Sequence, residues 1–227
     1  MASEGKIILS YHDVVLRQSD VAHLEPRQWL NDMIISFWFE YLPREVYPEY
    51  RGLMYFMPPE MVQFIKASSS NETSSEELSS MLNPKELASK KVIFFPINDS
   101  PTDSVTVGGS HWSLLVFNGK SGSFEHYDSF TGSVNHVHAE CVFRAMAPIL
   151  ADVLGKKESD LQFAEKDCTQ QENGYDCGVH LLCNSDAICR RMFRSDNRHM
   201  FEIASSAAIK RMRKEIQEVV AKLCSKT

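Results

Sequence analysis

The stretch Gln171-Glu-Asn-Gly-Tyr-Asp-Cys-Gly178 places a cysteine where a polar loop meets a helix that we predict from about Tyr175 to Cys189. A cysteine is an effective nucleophile as the thiolate, so it needs a nearby base, a group that orients the base and donors for the developing oxyanion. The N–H groups and dipole at the start of a helix favour such an anion. Taken alone, a cysteine is more often a small buried residue, but the amides, acid and glycines around Cys177 are poor core neighbours. The stretch therefore predicts Cys177 as a catalytic nucleophile.

Three neighbours of Cys177 have predicted roles of their own. Gln171 precedes it by six residues in a loop, so its side-chain amide can turn back and bind an oxyanion beside the Cys177 N–H. Gly178 would allow close approach of a substrate backbone because it has no Cβ. Asp176 stands where a helix N-cap is expected. The alternatives are an ordinary loop amide at Gln171 and a purely structural cap at Asp176.

A predicted β-hairpin supplies an imidazole and a carboxylate. His111–Asn118 and Ser123–Asp128 have the pattern of two strands joined by a turn that contains glycine. With the turn centred near Lys120, antiparallel pairing brings His111 close to the level of Asp128–Phe130. A register slip of one residue would change the faces that these side chains occupy. The hairpin thus predicts His111 as the base and Asp128 as its orienting carboxylate.

The chain has 8 histidines, so His111 has rivals. His126 is the strongest, because the alternation of a strand places it on the same face as Asp128. His180 lies within one helical turn of Cys177, but its side chain would lean along the helix rather than over the thiol. We expect His111 to be the base and most of the other histidines to be surface or capping residues.

The remaining pattern predicts an α+β fold, with a small mixed or antiparallel sheet flanked by helices. A mostly buried helix begins near Leu30, with Asn31 or Asp32 as its cap and Pro43 at its end. Ser68–Ser80 consists almost entirely of Ser, Asn, Thr and Glu, and predicts a flexible insertion within a single domain of residues 1–227. Further predicted elements are helices at Glu60–Lys66, Val137–Leu154 and Met200–Leu223, strands at Lys91–Ile97 and Leu161–Ala164, and a basic surface of Lys210, Arg211, Arg213 and Lys214 on the last helix.

Composition and charge narrow the function. The net charge of −6 on 227 residues argues against general nucleic-acid binding. The N-terminus lacks the apolar region of a secretory signal and no apolar run is long enough for a membrane span, so we expect no membrane partner. The 6 cysteines lack the CxxC pairs of zinc sites. We therefore expect no metal, no cofactor and free thiols in a reducing compartment.

Taken together, these motifs resemble the Ulp/SENP family of ubiquitin-like-modifier proteases. The resemblance runs from about Leu9 to Cys189 and is carried by Gln171–Gly178, His111-Trp112 and Trp29-Leu30-Asn31-Asp32. Within the family, the deneddylase branch, which acts on the modifier NEDD8 (also called Rub), is similar at Leu9-Ser-Tyr, Leu16-Arg-Gln-Ser-Asp-Val21 and Phe95-Pro-Ile-Asn-Asp99. The departures are Ser68–Ser80 and the Asp99–Ser110 loop, and both bear on modifier preference.

The resemblance implies a papain-like cysteine-protease fold of the Ulp/adenain type. It implies that Cys177 attacks the substrate, with His111 as general base and Asp128 orienting it. Gln171 would line the oxyanion hole. Trp29 and Trp112 would form a narrow passage for the Gly-Gly tail of the modifier, although core packing explains most tryptophans equally well. The remaining substrate-binding candidates are Asp32, for which a helix cap is the alternative, and Gly178.

The implied activity is that of a thiol isopeptidase, which removes NEDD8 from lysines of target proteins and trims the NEDD8 precursor. The implied partners are NEDD8 and its conjugates, with cullins as the targets that the family suggests. We expect a monomer in the cytoplasm and nucleus. The alternatives are the same chemistry on SUMO or ubiquitin, a non-catalytic module that binds a ubiquitin-like fold, and an acyltransferase that uses the same Cys–His pair.

Overall fold

A computed structural model describes residues 5–68, 75–102 and 108–225. The strands are β1 (Ile7–Tyr11), β2 (Val14–Arg17), β3 (Met54–Phe56), β4 (Val92–Asn98), β5 (Trp112–Asn118), β6 (Ser123–Tyr127) and β7 (Gln162–Lys166). The helices are α1 (Gln18–Ala22), α2 (Asp32–Tyr41), α3 (Pro59–Ser68), α4 (Ser75–Met81), α5 (Pro84–Ala88), α6 (Asn135–Leu154), α7 (Cys177–Phe193), α8 (Met200–Ile203) and α9 (Ser206–Cys224). The chain forms two compact units, one of Met1–Pro48 with Cys168–Thr227 and one of Glu49–Asp167.

The unit Glu49–Asp167 is built on a five-stranded mixed sheet in the order β3-β4-β5-β6-β7. The outer pairs β3–β4 and β6–β7 are parallel, whereas β5 runs antiparallel to both of its neighbours. All seven residues of β4 are buried, as expected for an interior strand with an apolar sequence. The sheet confirms the predicted strand at Lys91–Ile97 and the predicted hairpin.

Helices α3 and α6 pack against this sheet and enclose its core. Apolar side chains of the sheet, such as Phe95, Phe117 and Phe124, share one buried cluster with Val62 of α3 and Met146 of α6. Burying a side chain of this size contributes roughly 1.5–3 kcal/mol relative to leaving it in water. The cluster explains why a strand-rich segment and two amphipathic helices fold together, and it confirms an α+β arrangement with helices flanking the sheet.

The Ser-rich segment Ser68–Ser80, predicted to be a flexible insertion without a buried face, is helical at both of its ends. Ser68 ends α3 and is buried, and Leu78 of α4 is only 3% exposed within the core of its unit. One leucine in an otherwise polar stretch is enough to hold a short helix against a core, which a composition argument does not detect. The middle of the segment, 69–74, lies outside the described residues.

The other unit contains the β1–β2 hairpin, which the sequence pattern did not predict, together with α1, α2 and α7–α9. Helix α2 begins as predicted, because the Asn31 side chain accepts a hydrogen bond of 3.1 Å from the Ile34 N–H. Helix α2 ends at Tyr41 with Leu42 as its C-cap, which agrees with the prediction that Pro43 closes this helix. The chain continues in a π-helical turn, Leu42–Val46, whose first positions tolerate a residue without an N–H.

The predicted helix Met200–Leu223 is divided into α8 and α9. Ser205 accepts a hydrogen bond from the Ala208 N–H and begins a new helix there, with Ile209, Met212, Ile216 and Val220 buried along one face. The serine was a stronger local signal than the apolar pattern that spans it. In the described ranges, no helix combines the length and apolar character that crossing a membrane requires.

Candidate active site

The β5–β6 hairpin places an imidazole beside a carboxylate. Its register pairs Leu114 with Tyr127 and Asn118 with Ser123, and continuing this register beyond Leu114 brings His111 to the predicted level. His111 Nε2 lies 2.7 Å from Asp128 Oδ1, and both side chains are largely buried. The structure therefore brings together two of the residues that the sequence singled out.

Asp128 is held in its ionised form. Burial alone would raise the pKa of this carboxyl, but the hydrogen bond and charge of His111, together with the Ser133 side chain and the Phe130 N–H, keep its pKa below the ordinary value. An ionised Asp128 accepts the Nε2–H of His111. This contact fixes the orientation and the tautomer of the ring, as the orienting acid of a nucleophile–base system must.

Asp99, which the sequence analysis did not select, fixes the backbone of His111. Its Oδ1 accepts the His111 N–H at 2.8 Å and the Ser110 N–H at 2.5 Å, and its Oδ2 accepts the Ser110 hydroxyl at 2.8 Å. Burial opposes ionisation, but these donors keep the pKa of Asp99 below its ordinary value. Its position directly after a buried strand was the signal available in the sequence.

A buried lysine supports the backbone on both sides of Asp99. Lys66 of α3 is 1% exposed, and its ammonium donates hydrogen bonds of 2.6 Å to the carbonyl oxygens of both Asn98 and Ser100. Burial lowers the pKa of Lys66 to about 8. Nearby, Gly109 must be glycine because any Cβ there would overlap the side chains of Asp99 and Asn98. A lysine in an amphipathic helix looks like a surface residue, so this contact was not predictable from the sequence pattern.

The rival histidines are engaged elsewhere. His126 is fully buried, with one ring nitrogen 2.8 Å from the Glu165 carboxylate and the other 2.8 Å from the Ser113 hydroxyl. His180 is also buried, which lowers its pKa, and it has a hydrogen bond with the Thr169 backbone. Their hydrogen bonds therefore tie both histidines into the interior packing of their own units.

In the other unit, Cys177 is the first residue of α7 and is 1% exposed. The helix start agrees with the prediction, but the predicted side-chain cap from Asp176 is wrong. The Asp176 carboxylate accepts hydrogen bonds from Asn173 and from Arg213 instead. An arginine within reach competes successfully with the backbone N–H groups for this carboxylate, because a charged pair is the stronger hydrogen bond.

The loop before Cys177 is braced by its own side chains. Asn173 Oδ1 accepts the N–H groups of Tyr175 and Asp176, both at 3.0 Å. Gln171 Nε2 donates a hydrogen bond of 2.7 Å to the Asn173 carbonyl. This contact holds the amide of Gln171 within the loop that leads to the cysteine, while its role in an oxyanion hole stays a prediction.

The two candidate tryptophans differ in environment. Trp29 is 49% exposed, and its Nε1–H donates a hydrogen bond of 2.7 Å to the Gly174 carbonyl. Core packing therefore does not explain Trp29. Trp112, the first residue of β5, is 5% exposed within the other unit.

Gly178 and Asp32 have local structural reasons for their identity. A Cβ at Gly178 would lie 2.9 Å from the Cβ of Leu30, so glycine is required here by the close packing of α7 against that leucine. This differs from the predicted reason, which was access for a substrate backbone. Asp32 is the first residue of α2, where its charge suits the helix dipole, while Asn31 provides the cap. Contact of either residue with substrate stays a prediction.

Each unit thus holds one part of the chemistry of a thiol hydrolase: a cysteine at a helix N-terminus in one, and an imidazole–carboxylate pair in the other. All six cysteines are free thiols. Across the described parts of the chain, no group of three or more His, Cys, Asp or Glu side chains is placed to hold a metal ion.

Comparison with known proteins identifies the family. Residues 28–226 match the family described as the Ulp1 protease family, C-terminal catalytic domain. The chain is 39% identical over 220 residues to Sentrin-specific protease 8 of Homo sapiens, covering 97% of this chain and 99% of the relative. It is 36% identical over 188 residues to NEDD8-specific protease 1 of Arabidopsis thaliana, covering 82% of this chain and 77% of the relative.

The fold is similar to that of a solved protease domain. A solved C-terminal Ulp1 protease domain in complex with Smt3, the yeast ortholog of SUMO, matches with a TM-score of 0.69 at 20% identity, over 98% of this chain and 90% of that one. The chain belongs to the Ulp1 family of cysteine proteases. The resemblance stated from the motifs and the predicted Ulp-type fold are both confirmed.

Proposed function

We propose that the protein is a deneddylase, which removes NEDD8 from lysines of target proteins and processes the NEDD8 precursor after its C-terminal Gly-Gly. The observation that carries this proposal is the similarity to Sentrin-specific protease 8 over 97% of the chain, joined by the similarity to NEDD8-specific protease 1. The domain matched at lower identity in complex with a SUMO ortholog supports a ubiquitin-like substrate of the same general class.

In the proposed mechanism, the Cys177 thiolate attacks the carbonyl of the last glycine of the modifier. The N-terminus of α7 favours the negative charge on sulfur. Because Asp128 occupies Nε2 of His111, Nδ1 is the ring nitrogen that takes the thiol proton and delivers it to the leaving amine. Water then hydrolyses the thioester, and His111 acts a second time as general base.

The candidate residues outside the Cys–His–Asp set are proposed to recognise the Gly-Gly tail of the modifier. Trp29 presents half of its surface to solvent next to the loop that carries the nucleophile, and a flat indole can line a slot that admits only glycines. Trp112, Asp32 and Gly178 complete the proposed tail-binding set, and Gln171 is the proposed side-chain donor of the oxyanion hole.

We further propose that the enzyme acts as a monomer in the cytoplasm and nucleus, with cullins among its conjugated targets. The free thiols support a reducing compartment. Fusions of a tag to the C-terminal glycine of NEDD8, SUMO and ubiquitin, each incubated with the enzyme, test the substrate. We expect release of the tag from NEDD8 at a rate far above the other two, and faster cleavage of SUMO or ubiquitin would refute the proposal.

Replacement of the nucleophile tests the chemistry. Cys177→Ala should abolish turnover but retain binding of NEDD8, whereas Cys224→Ala, at the last residue of α9, should leave turnover unchanged. A NEDD8 vinyl-sulfone probe should label the wild type and not Cys177→Ala. Turnover in Cys177→Ala would exclude this cysteine as the nucleophile, and a wild type that binds NEDD8 but is not labelled would favour a non-catalytic module.

A further inference from the structure

The sequence predicts a basic surface on the last helix, but the side chain of Arg213 is largely buried in the structure. It donates hydrogen bonds to other segments of its unit. Its guanidinium is 13% exposed, whereas Arg211 and Lys214 beside it on α9 are exposed. Nε and Nη2 donate to Asp176 Oδ1 at 3.1 and 2.8 Å. Nη2 also donates to the Tyr175 carbonyl at 3.1 Å. The guanidinium thus holds the two residues that directly precede Cys177.

The same guanidinium holds the segment that leads to Trp29. Nη2 donates a hydrogen bond of 2.6 Å to the Gln28 carbonyl, and Nη1 donates one of 2.9 Å to the His23 carbonyl. A ring nitrogen of His23 in turn lies 2.8 Å from the Trp29 carbonyl. Arg213 therefore contacts both ends of the segment His23–Gln28, directly before the exposed indole.

The two held segments also share a direct hydrogen bond, in addition to the packing of Gly178 against Leu30. Trp29 Nε1–H donates to the Gly174 carbonyl, which lies in the loop before Cys177. Without Arg213, the two segments would lose the hydrogen bonds of the guanidinium and keep this one at a half-exposed side chain. An arginine suits the task because its planar group carries five N–H donors in a fixed fork, whereas a lysine ammonium is a point charge.

We propose that Arg213 is a positioning residue, which sets the distance between the Cys177 loop and the Trp29 segment and thereby aligns the thiol with one wall of the tail passage. This inference rests on the proposed function for the identity of the tail, and on the hydrogen bonds alone for the positioning. Because Arg213 serves both segments, its loss should affect both binding of the tail and attack by the thiol.

Two substitutions separate positioning from general stability. Arg213→Met removes every contact, and a misplacement of about 1 Å at a reactive centre lowers activity by about a hundredfold. We expect kcat/KM on tagged NEDD8 to fall to that extent, through both kcat and KM. Arg213→Lys can still pair with Asp176 but cannot also reach the Gln28 and His23 carbonyls, so kcat should recover while KM stays high. Arg211→Met, a matched change on the same helix, should behave as wild type.

A second readout does not depend on substrate. Of the three tryptophans, Trp29 is 49% exposed, whereas Trp38 and Trp112 are 2% and 5% exposed. Quenching of fluorescence by iodide therefore reports mainly on Trp29. It should increase in Arg213→Met, to a smaller extent in Arg213→Lys, and not in Arg211→Met.

The outcomes are distinguishable. If Arg213→Met matches Arg211→Met in both quenching and kcat/KM, the positioning role is wrong. If Arg213→Met fails to fold, as judged by circular dichroism, Arg213→Lys carries the test, and a wild-type KM with wild-type quenching in that variant overturns the proposal. If the wild type cleaves no NEDD8, the proposed function fails, while the quenching comparison still decides the role of Arg213.

Discussion

Replacing Lys66 with methionine should change how the stability of the protein depends on pH. The ammonium is 1% exposed, and its pKa is lowered by burial to about 8 from an ordinary value of 10.5. Between these values the unfolded chain binds more protons than the folded chain, so stability rises with pH across this window. Below pH 8 both states are protonated and the penalty for burying the charge is fully present. Above pH 10.5 both states are neutral and the penalty is absent.

The size of the effect follows from the two pKa values. Linkage between about 8 and 10.5 gives a gain in the free energy of unfolding of about 2.5 kcal/mol from pH 7 to pH 10. Lys66→Met has no titrating group at this position and should lack this gain. The carbonyls of Asn98 and Ser100 lose their donor in the variant at every pH, so that loss is constant and does not affect the slope.

Urea unfolding at pH 7, 8, 9 and 10 measures the slope directly. The difference in unfolding free energy between wild type and Lys66→Met should shift in favour of the wild type by about 2.5 kcal/mol across this range. Lys85→Met, at an exposed lysine of the same unit, is the matched control and should show a constant difference. A constant difference for Lys66→Met as well would refute the reasoning that this ammonium is charged and buried.

Three further changes test the site. Asp128→Asn should lower kcat on tagged NEDD8 by about a hundredfold or more. It should also make the protein lose less stability in acid. The reason is that the lowered pKa of Asp128 contributes stability that is present at neutral pH and is lost as pH falls through the folded-state pKa. Gly178→Ala should lower the unfolding free energy by about 1–3 kcal/mol, because the added methyl group overlaps Leu30. In a double-mutant cycle, Leu30→Ala should relieve part of this loss. If the two losses of unfolding free energy simply add, the packing argument is wrong. Trp29→Ala should raise KM about tenfold while lowering the unfolding free energy by about 1 kcal/mol or less. Phe201 is another exposed aromatic residue, and Phe201→Ala is the control that should leave KM unchanged.

Local patterns were enough to predict the parts of the site that lie within one element. The register of β5 and β6 follows from the turn between them, so the closeness of His111 and Asp128 was predictable from strand geometry. The start of α7 at Cys177 was predictable because the polar loop before it cannot continue a helix. The strand β4 was evident as an apolar run.

The residues that support the site were not predictable in the same way. Lys66 and Arg213 each lie on a helix with an ordinary amphipathic pattern, and their partners are distant in the chain, as with Asp176 37 positions from Arg213. Hydropathy records whether a position is polar, not which polar group it meets. The split of the last helix at Ser205 was missed for a related reason, because a single side chain outweighed the average pattern.

The imidazole–carboxylate pair belongs to one hairpin and is therefore local in the chain. His111 and Asp128 are 17 positions apart and are joined through a tight hairpin, so their meeting requires closure of only a short loop, which takes microseconds in isolated hairpins. A polypeptide emerging from the ribosome can therefore form this pair well before the cysteine, many residues downstream, has been synthesised. The nascent enzyme would carry a base without a nucleophile, and it would become proteolytically competent only late in its own synthesis.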